Sequence, residues 1–165
     1  MRLIKLTALP FLLAALFIGS TGCMKNADKR ISREFVNTGI VLSGAQETPS
    51  VPSSAVGTMD VFYTRETRIL SYNLKWSGLT GNVAAMHIHG LGPTGFIAGI
   101  VQTFSTSSIV RCPTINNTTC GSFSGTLFVD GVVVKENDLL NGFYYLNIHT
   151  AAYPGGEIRG QITFQ

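Results

Sequence analysis

The chain has 165 residues, 45% of them hydrophobic and 13% charged, with a formal net charge of +3. The basic excess sits at the front, because from Gly39 onward there are six Lys and Arg against seven Asp and Glu. The near-neutral remainder excludes a charge-driven nucleic-acid binder, and its roughly 125 residues suffice for one domain with a real core.

The N-terminal stretch "MRLIKLTALPFLLAALFIGSTGC" has basic residues at Arg2 and Lys5, an apolar run from Leu9 to Ile18, then small residues up to Gly22. This is a secretory signal pattern over residues 1–22, too short for a comfortable membrane span. The run Ser20, Thr21, Gly22, Cys23 is similar to a bacterial lipobox, with Ser at the place where Leu is preferred. Cys23 is therefore expected to carry lipid after cleavage, and more than one acyl chain makes such an anchor stable. The expected location is a bacterial membrane, with the protein exported and facing the periplasm or the exterior. Residues 23–38, with four basic and two acidic side chains, are expected to form the lipidated start and a flexible tether. Residues 39–165 are expected to form the domain.

Short alternating runs follow in order. "GIVLSG" is a first strand candidate. "VGTMDVFYT" places Met59, Val61 and Tyr63 on one face, and "RILSYNLKWSG" places Leu70, Tyr72, Leu74 and Trp76 on one face. The short connection Arg65 to Thr67 makes these two a hairpin. In "AAMHIHG", His87 and His89 share a face opposite to Met86 and Ile88. "AGIVQTF" and "SGTLFV" are further strands. Between them lies "CPTINNTTC". With Cys23 assigned to lipid, Cys112 and Cys120 remain as a pair in a compartment where disulfides persist. A metal site there would need further ligands, which the loop lacks. "VKENDLLNG" reads as one short helical turn closed by Gly142. "YYLNIHT" separates Tyr144, Leu146 and Ile148 from Tyr145, Asn147 and His149. "EIRGQITFQ" separates Ile158, Ile162 and Phe164 from Glu157, Arg159 and Gln161, the polar set pointing outward. The expected fold is all-β: a Greek-key-like antiparallel β-sandwich of about eight strands with one short helical turn.

Three stretches together carry a family likeness: "LSGAQETPSVPSSAVGT" (42–58), "AAMHIHG" with "GPTG" after it, and "NIHTAAYPGGEIRGQI" (147–162). They resemble the chordin-type, or CHRD, domain over nearly all of the chain from Ile40 onward. Ser50 stands where the family's first motif has a second proline, and the segment from Ser105 to Gly121 looks like an insertion of this chain's own. The resemblance implies an extracytoplasmic β domain. It implies no settled activity.

All three histidines of the chain fall on non-apolar strand faces. If the strands of His149 and Glu157 pair, and the His87–His89 strand lies beside them, these side chains and Arg159 form one polar cluster, with Tyr153 in the connecting turn. Three neutral imidazoles suit Cu or Zn, with a fourth position left open. A bimetallic dismutase site is excluded, because it needs about twice as many histidines as this chain has. Arg159 brings a fixed positive charge to the same face and counts against a cation. A hydrogen-bond network without a ligand is the competing expectation. Glu47, in a loop stiffened by Pro49 and Pro52, is counted with the polar residues of this cluster; of its two readings, reaching the histidines or bonding backbone at a strand end, the second is preferred. No nucleophile elbow and no paired carboxylates appear, so an enzyme is not favoured. The expectation is a membrane-anchored binding or structural module of the cell envelope, with an envelope protein or polysaccharide as partner. The alternative is a mononuclear Cu or Zn protein using His87, His89 and His149.

Overall fold

A computed structural model describes residues 33–165. The signal segment 1–22 and the lipid site Cys23 lie outside the described residues. Among those described, no helix is long and apolar enough to cross a membrane.

The strands are β1 (Glu34–Ser43), β2 (Val56–Thr64), β3 (Ile69–Ser77), β4 (Val83–Gly90), β5 (Ile100–Thr103), β6 (Val110–Arg111), β7 (Gly121–Phe128), β8 (Tyr144–Thr150) and β9 (Ile158–Gln161), with one helical turn, α1 (Glu136–Leu140). They pair antiparallel in one curled sheet of order β5-β4-β8-β9-β1-β2-β3-β7-β6. The β9–β1 seam is a single residue pair, Ser43 with Arg159. The connections β3–β4, β5–β6 and β7–β8 each cross from one side of that seam to the other. The two halves of the sheet enclose the core. Phe104, after β5, stacks on Tyr72 of β3 at 5.2 Å and on Phe123 of β7 at 4.9 Å. The expected eight strands are all present, and the ninth is the two-residue β6.

β2 and β3 follow the alternation read from their sequences, with Met59, Val61, Tyr63, Leu70, Tyr72, Leu74 and Trp76 buried. The helical turn also forms as expected, and Gly142 behind it takes φ +74, a conformation that favours glycine. Cys112 and Cys120 are joined as a disulfide, with Cα atoms 5.5 Å apart. Their loop covers Trp76, whose indole donates to the Thr118 carbonyl at 3.0 Å.

Three features differ from expectation. β1 begins at Glu34, inside the segment assigned to the tether. Phe35 explains this, because its ring packs 6.0 Å from both Tyr63 and Phe164. β8 and β9 are buried along their whole lengths, not on one face. The segment between β4 and β5 lies over their outer face: Gln161 donates to Gly92 O at 2.9 Å, and Arg159 donates to Phe96 O at 2.9 Å. Finally, Glu157 does not join the histidines. Gly156 takes φ +127 and turns the chain just before β9. Glu157 then falls among hydroxyls, accepting from Ser53 Oγ at 2.7 Å, Thr80 N and Thr80 Oγ1 at 2.9 Å, and Thr150 Oγ1 at 2.6 Å.

Burial pushes the Glu157 carboxyl up, but these four bonds outweigh it and hold the group below its ordinary value of 4.5. A lowered folded-state value contributes stability that is complete above the ordinary value and is lost as pH falls through the lowered one. Glu157→Gln is expected to cost about 2–3 kcal/mol near neutrality, with the gap to the wild type closing in acid. Urea unfolding of both proteins across this range checks it, and a gap independent of pH contradicts it.

Candidate metal centre

The register of three neighbouring strands places the polar residues on a grid. His87 of β4 is the Cα partner of Asn147 on β8, which is in turn the partner of Arg159 on β9. One step along, His89 pairs with Tyr145, and Tyr145 with Gln161. His149 lies two residues beyond Asn147 on the same face of β8. The histidines meet because β4 borders β8, a pairing between strands far apart in sequence.

Their geometry is close. His87 Nδ1 lies 3.0 Å from His149 Nε2. One ring nitrogen from each of His87, His89 and His149 falls within 4.8 Å of the others, and this is the one such group of His, Cys, Asp or Glu among the described residues. His89 and His149 are each 8% exposed, while His87 is half-buried and forms the open side. His89 Nδ1 lies 2.9 Å from the Ala98 carbonyl, and His149 Nδ1 lies 2.9 Å from the Pro154 carbonyl. A carbonyl only accepts, so in the neutral ring each of these Nδ1 atoms carries the proton and each Nε2 keeps a lone pair. His89 Nε2 is buried and has no hydrogen-bond partner.

The electrostatics favour neutral imidazoles at His87 and His149. Burial, then the neighbouring His149 and His89, push His87 down to about 4. Burial also lowers His149. Arg159 does not point its charge at the histidines. Its guanidinium carbon sits 3.4 Å from the centre of the Tyr145 ring, and it donates to Phe96 O at 2.9 Å, Gln161 Oε1 at 3.0 Å and Pro93 O at 3.3 Å. His89 stacks on the same Tyr145 ring at 4.8 Å, nearly parallel. Since β4 and β9 flank β8 on opposite sides, Tyr145 lies between His89 and Arg159.

Glu47 lies in the polar cluster, buried against Asn147 and Gly156 beside Arg159, and it also bonds the backbone of Thr48. Burial pushes it up to about 7, opposed by the Arg159 charge and by Asn147, and its Oε1 has no partner. Gly156 makes the room: a Cβ there would collide with Glu47 Oε1. Tyr153 takes part through its backbone, which closes the β8–β9 turn with Thr150 and Gly156. The residues that pattern reading passed over are Asn147, Tyr145 and the carbonyls of Ala98, Phe96 and Pro93. Asn147 and Tyr145 carried a signal, since they share His149's face of β8. The loop carbonyls carried none.

A family profile described as the CHRD domain matches residues 38–162. No curated protein and no solved structure matches the chain.

Arg159→Ala removes a guanidinium on which two loop carbonyls depend, and is expected to cost about 3–5 kcal/mol. Arg159→Lys is expected to recover little, because an ammonium offers neither the planar fork nor the ring stack. Urea unfolding gives the first value. Faster amide hydrogen exchange across 92–98 in both variants gives the second, and wild-type protection in Arg159→Lys contradicts it.

Proposed function

The chain belongs to the CHRD domain family, and on that premise we propose that it is an extracellular module that binds one copper or zinc ion through His87, His89 and His149. CHRD domains are extracellular β modules, and in this one the histidines of two stretches that carry the family likeness bring their imidazoles together. The supporting observation is His89 Nε2. It is buried, its ring's only proton is committed to Ala98 O, and nothing in the protein donates to it. A purely structural network leaves this atom orphaned at a cost of about 1–3 kcal/mol. A cation at the meeting point of the three rings removes that cost.

Nitrogen ligands from three histidines suit either ion. The carbonyls of Ala98 and Pro154 act as the outer partners that ligating histidines need to fix ring orientation. We further propose that Cys23 carries the lipid that holds the domain at a membrane, and that the module engages an envelope protein or polysaccharide there. The proposed role is binding, since the described residues place no nucleophile or carboxylate pair at the cluster.

Protein purified without a tag and stripped with a chelator is expected to take up one equivalent of Zn2+ or Cu2+. Binding to the folded state alone adds about 2.7 kcal/mol of stability at a free ion concentration one hundred times Kd. His89→Ala and His149→Ala are expected to lose uptake and stabilisation together. Calorimetric titration and thermal unfolding measure both. A folded wild-type protein that takes up neither ion overturns the proposal.

A further inference from the structure

We infer that Asn147 supplies a fourth ligand to the ion through Oδ1, and that Glu47 holds the amide in the ligating orientation; the inference rests on the metal reading of the histidine cluster.

Asn147 Oδ1 lies 2.9 Å from His149 Nε2. In the neutral ring that nitrogen bears a lone pair, because the one N–H of His149 points at Pro154 O. An amide oxygen is also an acceptor only. Two lone pairs facing each other at this distance repel unless positive charge lies beside both. A proton from His87 Nδ1, 3.0 Å from His149 Nε2, can serve the nitrogen and leaves the oxygen unserved.

Turning the amide over would ordinarily relieve such a clash. Here it does not, because the Asn147 amide lies against the Glu47 carboxyl. The flipped amide would set its oxygen against that carboxyl. Glu47 is itself fixed, 8% exposed and wedged onto a glycine with no room for a Cβ. The orientation with Oδ1 toward the histidines is therefore held from behind.

The spacing fits a tetrahedral ion. Bonds of about 2.0–2.2 Å place neighbouring ligand atoms about 3.3–3.6 Å apart. The pairs at 2.9 and 3.0 Å need to open by a few tenths of an ångström, and the most distant imidazole nitrogen, within 4.8 Å, needs to close in. Half-buried His87 has the freedom to do so. Three nitrogens and a hard oxygen make a closed set. Such a set favours divalent Zn2+ or Cu2+ over Cu+, which prefers sulfur, and holds an ion rather than presenting an open position to a substrate.

Cobalt(II) is the probe, because its visible absorption reports coordination number and ligand type. The wild type is expected to bind one Co2+ with the intense bands of a four-coordinate site. Asn147→Asp keeps an oxygen at the same place and is expected to keep those bands with no weaker affinity. Asn147→Ala is expected to bind at least tenfold more weakly with shifted bands. Glu47→Gln, which meets the Asn147 amide with a second amide, is expected to weaken binding by about tenfold and broaden the bands. If Asn147→Ala does not fold, the Asn147→Asp and Glu47→Gln spectra carry the test. Wild-type affinity and an unchanged spectrum in Asn147→Ala or Glu47→Gln, or loss of the bands in Asn147→Asp, overturn the inference and leave the three-histidine site standing. A wild type that binds no ion overturns the metal reading itself.

Discussion

A guanidinium sealed from water fixes the outer face of this domain. Arg159 is 1% exposed. Burying a permanent charge is costly unless each donor finds an acceptor. Arg159 meets this demand with loop carbonyls, a glutamine oxygen and the face of Tyr145. The consequence is architectural. The segment between β4 and β5 has to lie over β8 and β9 for its carbonyls to reach the charge. Once it lies there, Ala98 O is also in place for His89. The roof that neutralises the cation is the same roof that orients a histidine.

This changes the weight of Arg159 for a metal ion. A free cation on the histidine face would oppose a second one. Held on the β9 side of Tyr145 and surrounded by acceptors, the guanidinium has its field largely spent. Buried Glu47 beside it adds a carboxyl whose ionised form would offset the remainder. The polar groups thus form a row across the sheet, with the three imidazoles at one end and the Arg159–Glu47 pair of groups at the other. Asn147, between His87 and Arg159 in register, is where the two ends meet.

Much of this was legible in the amino-acid sequence, and the limits are physical. Alternation located β2 and β3 because each has one face in water. The same logic failed for β8 and β9. Their polar faces read as solvent faces, whereas a loop covers them, and nothing local in "GLGPTGFIA" says where that loop lies. The partnership of His87, His89 and His149 followed from facing and from one correct pairing assumption. Glu157 was misplaced because a strand-periodic reading cannot register the turn at Gly156, which sends it toward Ser53, Thr80 and Thr150. The partners of Glu47 were not legible for a related reason: Asn147 and Gly156 are about a hundred residues away in sequence and reach it only through the fold.

The claim on which the rest turns is that lone pairs converge on a cation at the outer face of β4 and β8. Anomalous diffraction from crystals of the stripped protein, soaked in Zn2+ or Cu2+ and recorded at that metal's absorption edge, tests it most directly. The expected result is one strong anomalous peak per chain, bonded to His87, His89 Nε2 and His149 Nε2. A map with no peak there, and with ordered water or a direct proton bridge joining His149 Nε2 to Asn147 Oδ1, would contradict it.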